Sequence, residues 1–232
     1  MKSPTVLLLL AASSALAQGT FQNLDFESAV VPNLQSDQAA FIPFTNAFPG
    51  WIGYAGTNQI QATVALYNGY SQGAAVDSLI DGHTAIYSNN VISGNYTAVI
   101  QAGAVGPPEF DAATAIAQTG LVPASARSLR FDGYQVTADM LLTLNGQPVP
   151  FVALGFGPNF TTYGADISAF AGQTAELRFT SLPTHNTFAS FFLDDIQLSN
   201  IEIPEPGTLS LSALGIVLLT WRFLRQARHQ LL

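Results

Sequence analysis

The sequence predicts an all-β protein built as one antiparallel sandwich, on three observations. No long helical period runs between Phe21 and Asn200; short alternating apolar and polar runs recur there instead, separated by Gly, Pro and Asn. The chain has 232 residues with 19 Gly and 13 Pro, which suits a single β-rich domain with short appendages. An Asn145-Gly146 pair sits between two apolar runs, where its positive backbone dihedrals close a hairpin.

The elements follow in chain order. Phe21 to Glu27 alternates, which predicts a first strand with Leu24 and Phe26 on one face and Asn23, Asp25 and Glu27 on the other. Ser128 to Asp132 and Ala175 to Thr180 alternate cleanly, so Leu129, Phe131, Leu177 and Phe179 face a core while Arg130 and Arg178 face water. Met140 to Leu144 and Val149 to Phe151 flank Asn145-Gly146-Gln147-Pro148 as the arms of the hairpin. Asp166 to Gly172 reads as one helical turn stopped by its glycine. Phe191 to Leu198 closes the domain, and its pairing with the first strand would bring Glu27 near Asp194 and Asp195. Asp194 is in phase with Ile196 and Leu198, which predicts a buried carboxylate in need of a partner.

Composition excludes several kinds of function. Only 9% of the residues are charged, against about 25% in an ordinary globular chain, so Asn, Gln, Ser, Thr and Gly supply the polar surface. Between residues 18 and 203, 14 carboxylates face three arginines, Arg127, Arg130 and Arg178. A phosphate backbone requires the opposite sign, which removes nucleic acid as a partner. Lys2 is the only lysine and there is no cysteine, so Schiff-base chemistry in the domain, thiol nucleophiles and disulfides are excluded.

The two ends read as addresses. Met1 to Gln18 has one cation, an apolar run from Val6 to Ala12, and Ala15-Leu16-Ala17 as a small-x-small cleavage site. That order predicts a signal peptide at residues 1–17, removed by signal peptidase once the secretion machinery has exported the chain. The β-sandwich domain then occupies 18–202. Residues 203–232 run from Ile203-Pro204-Glu205-Pro206-Gly207 through an apolar stretch, Leu209 to Leu224, to Arg222, Arg225 and Arg228. The stretch would span roughly 24 Å as a helix, a little short of a ~30 Å hydrocarbon core, so it reads as a marginal single membrane helix. Its one-sided arginines place the C-terminal end in the cytoplasm and the domain outside.

The order of that tail resembles the PEP-CTERM sorting signal, with Pro204, Glu205 and Pro206 as the processing motif, Gly215 within the helix, and arginines spaced out instead of forming one block. The resemblance implies an exosortase as partner and a cell-surface or extracellular-matrix destination among exopolysaccharide. The domain, for its part, is similar to jelly-roll, galactose-binding-like sandwiches that include many carbohydrate-binding modules. The residues that carry this likeness are Phe26-Glu27, Pro49-Gly50-Trp51, the run Gly82 to Ser88, and Asp194-Asp195-Ile196. It implies a structural Ca²⁺ held by Glu27 with Asp194 or Asp195, of which Asp194 is the first choice, and a core role for Trp51. Acids that face solvent or sit in hydrogen-bonded turns are the alternative.

Catalytic motifs are absent from the sequence: no Gly-x-Ser-x-Gly, no His-Glu-x-x-His, and only His83 and His185 in the mature domain, both in polar turns. No carboxylate pair is singled out for glycoside hydrolysis. Sugar binding needs an aromatic platform and hydrogen-bonding groups, not a reactive one. Tyr54, Tyr67, Tyr70, Tyr87 and Tyr96 lie among Asn and Gln and supply that composition, without any one standing out. Asn95-Tyr96-Thr97 and Asn159-Phe160-Thr161 match a glycosylation pattern but read as ordinary edge and loop residues. The expected function is thus a non-catalytic exported protein associating with exopolysaccharide; a structural or adhesive protein without a glycan site is the alternative, and a secreted polysaccharide hydrolase a more distant one.

Overall fold

Alternating side chains place one face of each run against its counterpart, and a computed structural model resolves the result as two packed sheets. It describes residues 20–34, 38–55, 60–69, 73–82, 89–104, 112–136, 139–184 and 189–203. One sheet has the order β1 (Ala40–Pro43), β4 (Val64–Tyr67), β5 (Val76–Asp81), β6 (Tyr96–Ala102), β14 (Ala189–Ser199), β8 (Ser128–Val136), β12 (Thr161–Asp166), β11 (Phe151–Phe156). The other runs β10 (Gln147–Pro148), β9 (Asp139–Leu144), β13 (Thr174–Leu182), β7 (Thr114–Leu121), β2 (Ile52–Ala55), β3 (Ile60–Gln61). The signal-peptide segment and the residues from Pro204 onward, apolar run included, lie outside the described residues. Among the described residues no helix is long and apolar enough to cross a membrane.

The core forms where the predicted faces meet. Leu129, Phe131, Leu177 and Phe179 are all buried, and the Phe131 ring meets Phe151, Tyr163, Phe179 and Phe191 at centroid distances from 5.3 to 6.4 Å. Each fully buried phenylalanine contributes on the order of 2 kcal/mol by transfer from water. Trp51 is buried among them, 5.8 Å from the Phe26 ring. The hairpin turns at Asn145 (φ 50°) and Gly146 (φ 74°), pairing Leu144 with Gln147. Beyond Val149 the chain crosses to the other sheet as β11. Ser168–Phe170 forms a single 3₁₀ turn, and Gly172 ends it at φ 76°.

Three expectations are corrected. The pairing is not purely antiparallel, because β4 and β5 run parallel, pairing Leu66 with Ser78 and Tyr67 with Leu79. Residues 21–30 hold no strand and turn over 24–28: Asn23 and Phe26 sit at φ 49° and 58°, which breaks the extended alternation of a regular strand twice within four residues. What holds this segment is a set of side-chain bonds. The Gln118 amide both accepts from the Gln22 N–H and donates to its carbonyl, and the Trp51 indole N–H donates to the Asn23 carbonyl at 2.9 Å. One backbone bond, from the Ile196 N–H to the Leu24 carbonyl at 3.0 Å, still brings the segment beside β14. Finally, Arg130 and Arg178 are half-buried and do not simply face water. Arg130 Nε is out of solvent, and the Arg178 guanidinium lies 4.3 Å from the centre of the Tyr54 ring.

Candidate functional site

Phe191 and Leu193 of β14 face the main core, and Phe192 faces outward into a second cluster with Ile80 and Val99. Asp194 continues that alternation and also points to the outer side. Asp195 then adopts φ 48° and the register slips between Asp194 and Gln197, so Ile196 returns to the main core. Asp194 is fully buried, as its sequence position implies, but on the face opposite Ile196 and not in phase with it.

The Asp194 carboxylate is met by three donors: the Ser93 N–H at 3.2 Å, the Thr97 hydroxyl at 2.7 Å and the Asp195 N–H at 2.8 Å. Burial pushes it up to about 7, against those three bonds, which hold it down. Glu27 grips the same stretch of chain. It accepts from the Asn95 N–H (2.7 Å), the Asn95 side-chain amide (2.8 Å) and the Tyr96 N–H (3.0 Å). Between these two acids Gly94 turns at φ 60°, and a Cβ there would fall 2.3 Å from Glu27 Oε1. Asp195 accepts from the Gln197 amide, at 3.1 Å.

Two of the three proposed calcium ligands, Glu27 and Asp194, therefore do meet one segment, Ser93 to Thr97, while the Asp195 carboxylate meets Gln197. Their lone pairs are another matter. An ionised carboxylate offers about four acceptor sites, and a Ca²⁺ takes about six to eight oxygens. Three donors already occupy Glu27 and three occupy Asp194. Among the described residues no three His, Cys, Asp or Glu gather as metal ligands. The donor set fits a hydrogen-bonded clamp on a turn and does not fit a calcium cage.

The opposite situation occurs at Asp77, which no motif in the sequence singles out. In β5, Asp77, Leu79 and Asp81 alternate onto the inner face. Asp81 receives the Tyr67 hydroxyl at 2.6 Å, and burial, with that bond second, raises the Tyr67 phenol. Asp77 is 2% exposed, and neither of its oxygens has a hydrogen-bond partner. It fits only because residue 53 is glycine: a Cβ there would lie 2.7 Å from Asp77 Oδ2 and 2.2 Å from the Phe44 ring. Burial pushes its carboxyl well above the usual carboxylate range, with only the Arg178 charge pulling the other way.

Asp77 also lines a cavity of about 370 Å³ at the end of the sandwich where β4 and β5 begin. Phe41, Gln61, Thr63, Val64 and Val76 form its other walls, with three alanines between them. Phe41 is 68% exposed, a large ring left in water on an edge strand. The sequence does carry one signal for the site: an Asp in phase with Leu79 inside the apolar run Val76 to Asp81. Nothing local ties that run to Phe41 or Gln61.

The other residues with sequence-based expectations fall in less promising places. Tyr67 is buried, Tyr96 is half-buried against the Glu27 clamp, and Tyr54 is covered by Arg178, so none of them is a free platform. Asn95 holds Glu27, and the Asn159 amide ties down the carbonyls of Asn89 and Val91. Tyr70, Tyr87, His83, His185 and the motif Pro204, Glu205 and Pro206 lie outside the described residues, as does most of the run Gly82 to Ser88.

No family model matches the chain, and neither does any curated protein. Among solved structures it is similar to a carbohydrate-binding module, TmCBM61, whose structure was determined in complex with beta-1,4-galactotriose. The two are 12% identical, and the match covers 79% of this chain and 99% of that one at a TM-score of 0.44. A likeness so loose transfers neither site nor ligand, so function has to be argued from this chain's own residues.

Proposed function

We propose that this is an exported, non-catalytic surface or matrix protein whose β-sandwich associates with polysaccharide through the cavity beside Phe41. The observation that carries the reading is that cavity: an exposed aromatic ring, an amide and a hydroxyl line a pocket of about 370 Å³. A sugar asks for that combination, an apolar ring face to stack on and a few polar groups for its hydroxyls. Export rests on the two ends of the sequence. Residues 1–17 would be removed by signal peptidase, and an exosortase would process the chain near Pro204-Glu205-Pro206 after Leu209 to Leu224 had held it in the membrane. In this reading Glu27, Asp194 and Asp195 shape the domain without a metal.

Two experiments test it. The intact mass of the protein recovered from envelope and medium should end near Pro204 to Gly207; a mass that retains Leu232 would replace processing by a permanent anchor. Retardation of the protein in gels containing polysaccharides should be lost in Phe41→Ala. Failure to bind any member of a broad glycan panel would leave a purely structural or adhesive surface protein in its place.

A further inference from the structure

The charges around the cavity restrict which polysaccharide it can hold. Between residues 18 and 203 the only cations are Arg127, Arg130 and Arg178, and none of them lines the cavity. Arg178 is engaged over the Tyr54 ring. Among the described residues, the single ionisable residue in the cavity wall is Asp77, an acid whose oxygens are themselves out of solvent. Around it lies a domain carrying 14 carboxylates against three arginines, whose summed field repels anions over about a Debye length of 10 Å at 0.1 M salt.

Building on the polysaccharide reading above, we infer that the cavity is selective for neutral glycans and rejects uronate- or sulfate-bearing polymers. A carboxylate or sulfate entering it would lose water and meet no cation, only the Gln61 amide and the Thr63 hydroxyl. A neutral hexose loses little by the same transfer, since its hydroxyls can use those groups while one ring face lies on Phe41. The matrix polymer this protein contacts is then an uncharged one, or an uncharged stretch of a mixed one.

The test immobilises the full-length protein in detergent and offers length-matched polymers: a neutral galactan and a neutral β-glucan against polygalacturonate and alginate. At least one neutral polymer should bind tenfold or more tighter than either polyuronate at 0.1 M salt. Phe41→Ala should abolish that binding, and Thr63→Lys, which sets a cation in the exposed cavity wall, should gain polyuronate binding. Tighter binding of a polyuronate by the unmodified protein would overturn the selectivity and leave polysaccharide association standing. Neutral binding that survives Phe41→Ala would overturn the assignment to this cavity, and binding of none of the four would overturn the association with these polymer classes as well. Val64→Lys repeats the rim substitution should the first variant fold poorly.

Discussion

Two buried acids in this sandwich live in opposite circumstances. Asp194, on the outer side of β14, is surrounded by three donors; Asp77, on the inner side of β5, has none. Both are shielded from water and both are raised above the usual carboxylate range. The difference is in what each shapes. Together with Glu27, Asp194 fixes the turn from Ser93 to Thr97, satisfying backbone N–H groups that would otherwise be stranded. Asp77 fixes nothing, and it borders a cavity. Burial alone does not identify a functional acid; the count of partners separates a structural role from a site.

The sharpest way to break this comparison is to remove each carboxylate in turn. Asp194→Ala strands the Ser93 N–H, the Thr97 hydroxyl and the Asp195 N–H and should cost roughly 3 kcal/mol or more by chemical denaturation. Asp77→Asn removes no hydrogen bond and should stay within about 1 kcal/mol, on the stabilising side at neutral pH. Equal losses in the two variants would erase the distinction.

The pH dependence sharpens it. For both acids the folded-state value lies above the unfolded value of about 4, so the folded protein holds protons that the unfolded chain has released. Stability is therefore greatest below about pH 4 on this account and falls as pH rises, for Asp194 through about 7. Its share is at most on the order of 4 kcal/mol, because each unit of displacement corresponds to about 1.4 kcal/mol. Asp77→Asn should flatten part of that slope in urea melts at a series of pH values, and a stability that climbs between pH 4 and 7 would contradict both assignments.

Smaller effects are expected within the clamp. Gly94→Ala meets both a positive φ and a Cβ contact with Glu27, and about 1 to 2 kcal/mol should be lost. Melting temperatures in Ca²⁺ and in EGTA should coincide, since the lone pairs of Glu27 and Asp194 are largely taken; a Ca²⁺-dependent rise would restore a metal to the site. Smallest of all is Phe41→Ala, whose ring is mostly in water, so stability should move by less than about 0.5 kcal/mol while glycan binding disappears.

Strands with clean alternation are legible in the amino-acid pattern alone: Leu129 and Phe131 in β8, Leu177 and Phe179 in β13, and the Asn145-Gly146 turn all fall where that pattern places them. The first segment misleads because Leu24 and Phe26 alternate like strand residues. Their conformation is decided by Gln118, some 96 positions from Gln22, and by the Trp51 indole. The burial of Asp194 is legible and its face is not, since a single bulge at Asp195 reverses the phase. Of the cavity, only the acid in an apolar strand shows in the sequence. Phe41, Gln61 and Asp77 are joined by sheet order, including the parallel β4 and β5 pair, which local pattern does not encode.

Backbone amide shifts of the full-length protein, followed by NMR while a neutral oligosaccharide is titrated in, test the division between clamp and cavity most directly. The account predicts saturable shifts at Phe41, Gln61, Thr63 and Asp77, with Ser93, Asn95, Tyr96 and Asp194 unmoved. Shifts concentrated in the Ser93 to Thr97 turn, with the cavity silent, would contradict it.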